Sequence, residues 1–424
     1  MAQRRFGGRH MAAGWALALS GGLSGCGVVE NLTTTPVTVA AVSAQHLAPG
    51  ASVSVPIDVT LAGRAGGQDV QLSVQSADAA LVTATLEGRT LTLRAAAGAL
   101  PQGLVPVTVT AQVGEDTATR RIGVEIGSRI SAEFARFNAV RAQAGLRAVV
   151  FDDEASMNCW LHGRYSVLNG AAGHNEDASL PYATPQGLNC AANSNLSWNT
   201  LPVAKLAGST SATDTLFSVP FHAAGMLHSG QTHVGIGSYA RPYPNDARYV
   251  QTGSGITSIR PEGAGAGAPV TFPGNGQETD MAQYPGGEWP NPLTSCAGFD
   301  PRSTGLPLVV ASRIFGDTTA TDATLSVEGG GSVEVCAYGS TQYVNTTDAP
   351  GNYVGGPRSA QDIGRSILKG YGAVFVIPRA PLVAGKTYRV SVTVNGTPVT
   401  WSFRTAATLR PQTLARPGVP LRVQ

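Results

Sequence analysis

The sequence predicts a multidomain chain in which two all-β sandwiches flank a mixed α/β domain. Three observations carry this prediction. At 424 residues the chain is longer than one hydrophobic core commonly supports. Apolar residues alternate with period two in its first and last thirds, and between them, from Ser131 to Leu168, they recur at helical spacing. Charged residues make up only 13% of the chain, against about a quarter in ordinary globular domains. The polar surface therefore rests on Thr, Ser, Asn, Gln and Gly, as in exported β-rich proteins. The formal net charge is +2, the only lysines are Lys205, Lys369 and Lys386, and the arginines are scattered. No basic tract is present, which argues against a nucleic-acid partner.

Residues 1–25 read as an export signal. Arg4, Arg5 and Arg9 form a basic start, and the apolar run from Met11 to Leu19 is too short to cross a bilayer as a helix. The segment ends in Leu23-Ser24-Gly25-Cys26, which resembles the lipobox of bacterial lipoproteins. That resemblance implies acylation of Cys26, with palmitate among the attached chains, and a protein held at a membrane surface; several acyl chains make such an anchor effectively permanent. Gly27 stands where an inner-membrane lipoprotein carries Asp, so the expected location is the cell envelope, at the outer membrane where the host has two. Residues 26–36 form a polar tether.

Lipidation of Cys26 leaves four cysteines, Cys159, Cys190, Cys296 and Cys336, which make two disulfides in an oxidising compartment. Short loops favour Cys159 with Cys190 and Cys296 with Cys336, with three connectivities formally open. No CxxC or Cys/His metal spacing is present.

In residues 37–127, Val53, Val55, Ile57, Val59 and Leu61 share one strand face. The pattern recurs at Val70, Leu72 and Val74, at Leu91 and Leu93, at Val105, Val107 and Val109, and at Ile122, Val124 and Ile126, broken by turn signals such as Pro49-Gly50. Short strands at this spacing predict an Ig-like antiparallel sandwich, read as a spacer or interaction module.

Residues 128–262 change period. Phe134, Phe137, Val140 and Arg141 predict a helix with Ser128 or Ser131 as N-cap and Gly145 as its end. After Val149 to Phe151, Asp152 or Asp153 caps a second helix that runs to about Leu168 and stops at Asn169-Gly170, with Cys159, His162 and Tyr165 near one another on it.

Phe137-Asn138, Arg141, Ala144-Gly145-Leu146, the helix with His162 and Tyr165, Gly173-His174, Pro220-Phe221-His222 and His233-Val234-Gly235-Ile236-Gly237 together resemble, in order and spacing, the segments of a CAP domain, the superfamily of cysteine-rich secretory proteins, antigen 5 and pathogenesis-related proteins. The resemblance runs from about Ile130 to about Tyr239. It implies an α-β-α sandwich with a central cleft in which His174 and His222 match two family histidines that in some members bind a divalent metal. The family's two glutamates have no counterpart at the matching places: Ser194 stands where the first belongs, and Leu216 to Val219 contains none. Two imidazoles fall short of the three or four ligands a zinc ion takes. Glu176, Asp177 and Asp214 are candidates for a third ligand, and Ser194 and Glu176 are expected in the cleft. The alternative is a metal-free cleft in which His174 and His222 bond each other or Ser194. Ser194, His174 and Asp177 supply the residue types of a catalytic triad, without the Gly-x-Ser-x-Gly turn that exposes a nucleophile.

Gly263 to Gly267 reads as a linker. In residues 263–406, Leu308 and Val310, Leu325 and Val327, Val374 and Val376, then Tyr388, Val390, Val392 and Val394 alternate, with Asn395-Gly396 as a two-residue hairpin. The closing stretch, with Pro381-Leu382, Gly385-Lys386-Thr387-Tyr388 and Trp401-Ser402-Phe403-Arg404-Thr405, resembles the last strands of a bacterial Ig-like module. Residues 407–424 are expected to be a loose tail.

The expected function is a non-enzymatic envelope protein whose cleft binds a lipid, a glycan or an envelope protein. The alternatives are a metal-dependent hydrolase using His174 and His222, and an adhesin or structural protein in which the sandwiches act and the middle domain is passive. No other cofactor is expected.

Overall fold

The computed structural model describes residues 37–62, 69–258, 269–312, 315–410 and 422–424. The export signal, Cys26, the tether and the Gly263 to Gly267 linker lie outside the described residues. No described helix is long and apolar enough to cross a membrane.

The N-terminal alternation folds into strands, but Val53 to Leu61 is not one strand: Ser52–Pro56 and Val59–Leu61 pair in different sheets, with Pro56, which has no N–H to give a ladder, at the break. Gln45–Leu47 joins its neighbour parallel, where an antiparallel sandwich was expected. One sheet has the order Gln45–Leu47, Asp116–Ile126, Gln102–Val113, Gln71–Ser76, and a second the order Ser52–Pro56, Thr90–Ala95, Val82–Glu87. Their inward residues, Leu91 and Leu93 from one and Val105, Val107, Val109, Ile122 and Val124 from the other, form one buried cluster. Trp160 and Tyr239 of the middle region belong to the same cluster. Gln102 fastens the two regions further: its Nε2 donates to Ala240 O at 2.7 Å and its Oε1 accepts from Ala240 N at 3.0 Å.

Six helices follow. Helix α1 is Arg129–Gln143, α2 Asp153–Asn169, α3 Pro185–Asn193, α4 Ser211–Phe217, α5 Pro220–Met226 and α6 Ala360–Tyr371. The start of α2 is as the sequence dictates, with Asp152 Oδ1 accepting from Ala155 N at 2.9 Å, and Gly170 in the left-handed conformation ends it. The start of α1 differs. Ser128 is the N-cap but makes no side-chain cap bond; the buried Glu125 carboxylate, from the preceding strand, accepts from Ile130 N at 2.7 Å and Ser131 N at 3.1 Å instead. A carboxylate at a helix start satisfies free N–H groups and meets the positive end of the helix dipole.

Helix α2 lies across a four-stranded sheet ordered Ile236–Pro242, Tyr249–Thr257, Ser194–Pro202, Arg422–Val423. Glycine makes the contact close: a Cβ on Gly253 would stand 2.9 Å from Gly163 O. The last strand is the end of the supposed tail. Val423 is fully buried, and Gln424 exchanges backbone bonds with Leu196 at 2.8 and 3.0 Å.

The C-terminal alternation forms two further sheets. One has the order Val270–Phe272, Leu308–Ala311, Ala373–Pro378, Val335–Tyr338; the other joins Glu278–Thr279, Thr397–Thr405, Thr387–Val394, Ala320–Val327 and Ser332–Val333. The Asn395-Gly396 hairpin closes as predicted, with Val394 opposite Thr397 and both turn residues at positive φ.

The expected fold class is corrected here. About 40% of the described residues are strand and 21% helix, in several sheets, and a separate α-β-α sandwich between two β modules is not what the chain builds. The physical reason is burial. Ile130, Phe137, Leu216, Phe217 and Phe221 of the middle region sit in one continuous apolar cluster with Phe272, Leu308, Phe375, Trp401 and Phe403. The middle sheet is completed by a strand from the chain's last residues.

Candidate functional site

His174 and His222 do meet at one cavity. Its volume is about 190 Å³, and its walls include Phe221, Trp289, Tyr353, Ile363, Ile367 and Tyr371. Asn195, Ser366 and Gln424 add polar groups, and among the described residues no Asp, Glu, Lys or Arg side chain lines it. The volume is below the roughly 300 Å³ at which pockets for drug-sized ligands begin, so it suits one ring or a short chain.

Each imidazole is fixed through Nδ1. That of His174 donates to Ala191 O, at the end of α3, at 2.7 Å. The ring stacks on Tyr353, with centroids 4.7 Å apart and planes 17° from parallel, and the His174 backbone N donates to Asn352 O at 2.9 Å. Burial lowers the His174 pKa from its ordinary 6.5 to about 4, and the nearby His222 and His162 push the same way. His174 is therefore neutral at neutral pH. The same burial raises the Tyr353 hydroxyl.

His222 sits in the first turn of α5, which Pro220 opens and no N-cap side chain closes. Glu288 closes it. Its Oε1 accepts from Phe221 N at 2.9 Å, His222 N at 3.2 Å and His222 Nδ1 at 2.7 Å. With two backbone N–H groups already on that oxygen, the imidazole Nδ1 is the donor, and Nε2 is left free for a ligand. Glu288 is 5% exposed and its Oε2 has no hydrogen-bond partner. Burial raises its pKa, against the opposing pull of His222.

The two residues expected beside the histidines go elsewhere. Glu176 Oε1 meets His162 Nδ1 at 2.9 Å, and its Oε2 accepts from Thr184 N at 2.8 Å. Ser194 is fully buried, with its Oγ 3.3 Å from Cys159 Sγ and 3.2 Å from Cys190 Sγ. Strand alternation explains this, because Ser194 shares a face with Leu196 and Trp198, whereas Asn195 reaches the cavity. Asp177 is bonded to its own loop at Ser179, and Asp214 to Arg136 at 2.6 Å. Among the described residues no group of three or more His, Cys, Asp or Glu is arranged to hold a metal ion.

One carboxylate, Glu288, stands behind the cleft on His222 without lining it. Glu288 comes from a part of the chain assigned to the C-terminal module, 66 residues beyond His222. A signal was present in Gly286-Gly287-Glu288-Trp289, a glutamate beside an aromatic residue, but on the far side of His222 from the place inspected. The disulfides join Cys159 to Cys190 and Cys296 to Cys336, the shorter-loop connectivity.

No family model matches the chain. No curated protein matches it either. Solved structures with some likeness include a titin domain, at 16% identity over 22% of this chain and 98% of that one, TM-score 0.17. The adhesin InvE of Yersinia pseudotuberculosis is 7% identical over 87% of this chain and 58% of that one, TM-score 0.14. Domains 4–9 of the surface layer protein SbsC are 10% identical over 87% and 49%, TM-score 0.16. All three scores lie below 0.5, so the likenesses carry no argument about fold or function.

Proposed function

We propose that the protein is a non-enzymatic binding protein of the cell envelope, tethered through an acylated Cys26, whose His174/His222 cavity holds the apolar part of a small ligand. The cavity carries this reading. Its walls are aromatic and aliphatic, no charged chain among the described residues enters it, and both imidazoles are locked by Nδ1 bonds. His222 Nε2 provides one fixed hydrogen-bonding atom, so a ligand with an apolar body and a hydroxyl group, which can give or accept, suits the site.

The test is saturation-transfer NMR of octan-1-ol against the full chain in lipid nanodiscs, with empty nanodiscs as the blank. Ile367 lines the cavity from α6, and Ile367→Asp places a charge in that wall. The expected result is an affinity lower by at least about tenfold. Equal binding by both proteins sinks the proposal.

The His222–Glu288 pair favours a second reading, a hydrolase, because a carboxylate on Nδ1 is how a general base is oriented. That reading requires turnover of an ester or amide substrate that His222→Asn abolishes.

A further inference from the structure

A second cavity, of about 220 Å³, differs from the first in chemistry. Trp198, Thr200, Gln251, Arg422, Ala172 and the last turn of α2 line it. The two cavities draw on alternate residues of the same closing segment. Arg422 lines one and Gln424 the other. Residues two apart in a strand point to the same side, about 6.6 Å from each other. The chain before His174 repeats the step, with Ala172 at the second cavity and His174 at the first. What stands between them is Gly173, which has no side chain, and the Gln424 amide, whose Oε1 lies 3.4 Å from where a Gly173 Cβ would be.

The second cavity presents both donors and acceptors without partners. Thr200 is 5% exposed and lines the cavity. It lies opposite Gln251 in the strand register, on the face shared with Trp198. The Trp198 indole N–H is buried and unpartnered. Arg422 brings guanidinium donors at the rim and forms no ion pair with a described residue. Two carbonyl oxygens add acceptors: that of the Asn199 side chain, buried and unpartnered among the described residues, and that of Ser166 at the end of α2, which already accepts from Gly170 N and Ala171 N. A bare anion would face those carbonyls and the negative end of the helix dipole, whereas a ring carrying several hydroxyls can donate to the carbonyls and accept from Arg422 and Trp198. An aromatic side chain beside such groups suits the same ligand.

We propose that the two cavities form one bipartite site for a glycoside with an apolar tail, the tail in the His174/His222 cavity and the hydroxylated ring against Thr200, Trp198 and Arg422. This rests on the apolar-cavity reading above and adds the class of head group to it.

Octyl β-glucoside, kept below its micellar concentration, is the probe, and octan-1-ol the control without a sugar. Both are titrated against the full chain in lipid nanodiscs, with empty nanodiscs as the blank. The chain is expected to bind octyl β-glucoside about tenfold more tightly than octan-1-ol, the worth of one or two hydrogen bonds. A Thr200→Val, Arg422→Gln double variant is expected to lose that difference while binding octan-1-ol unchanged, which also shows that it is folded. Equal binding of the two probes by the unaltered chain overturns this inference and leaves the apolar cavity standing. A glucoside preference that survives in the double variant overturns it as well. A chain that binds neither probe overturns both readings together.

Discussion

At the scale of residues, His174 links the site to stability. Its pKa falls from 6.5 to about 4 on folding because burial disfavours the imidazolium. Above 6.5 the ring is neutral folded or unfolded and stability does not depend on it. As pH drops from 6.5 towards 4 the unfolded chain takes up a proton that the folded chain refuses, so stability falls, by about 3 kcal/mol across the window. Urea denaturation at a series of pH values measures this, and His174→Phe, which keeps a ring against Tyr353, is expected to flatten the curve between those limits. An unchanged slope in the variant assigns the acid sensitivity to other groups. The identity of His174 and His222 as partners in one cavity was legible from the sequence by resemblance. The orientation of each ring was not, because the carbonyl of Ala191 and the carboxylate of Glu288 belong to elements that only the tertiary fold brings there.

At the scale of elements, legibility followed how local the signal was. Helix α2 could be read at both ends because its cap, Asp152, lies three residues before the amide it accepts from, and its stop is a glycine that tolerates positive φ. The Asn395-Gly396 hairpin could be read for the same reason. Helix α1 was placed correctly in the chain, but its start is held by Glu125, a strand residue whose alternation with Val124 and Ile126 marks it as outward-facing when only the sequence is considered. Inside the fold that outward side meets α1 and His46, whose Nδ1 lies 2.6 Å from the Glu125 carboxylate. Ser194 was misplaced by the same kind of error. Assigning it to the cleft fixed its place along the strand, whereas the face it points to is set by which side of the sheet the Cys159–Cys190 disulfide occupies.

At the scale of the whole molecule, the β-rich ends were legible and their independence from the middle was not. Period-two patterns report that a face is buried but not against what, and here α4 and α5 bury theirs against strands from the last third of the chain. Two or three residues show no period at all, so nothing in Arg422-Val423-Gln424 marked a strand. Removing residues 422–424 deletes the backbone bonds to Leu196, Gly287 and Trp289 together with the buried Val423 side chain. The expected loss is about 3 kcal/mol in the free energy of unfolding, measured by urea denaturation. A truncated chain as stable as the intact one denies that strand a part in holding the sheet.

That closing strand also sets an order of events. A chain made amino end first presents residues 194–202 more than two hundred positions ahead of the strand that pairs with their outer edge. Until residues 422–424 arrive, that edge presents unpaired amides and carbonyls, the kind of template on which another chain can add itself. A product cut short before residue 422 keeps that edge open, so it is expected to pair with further copies of itself where the intact chain does not.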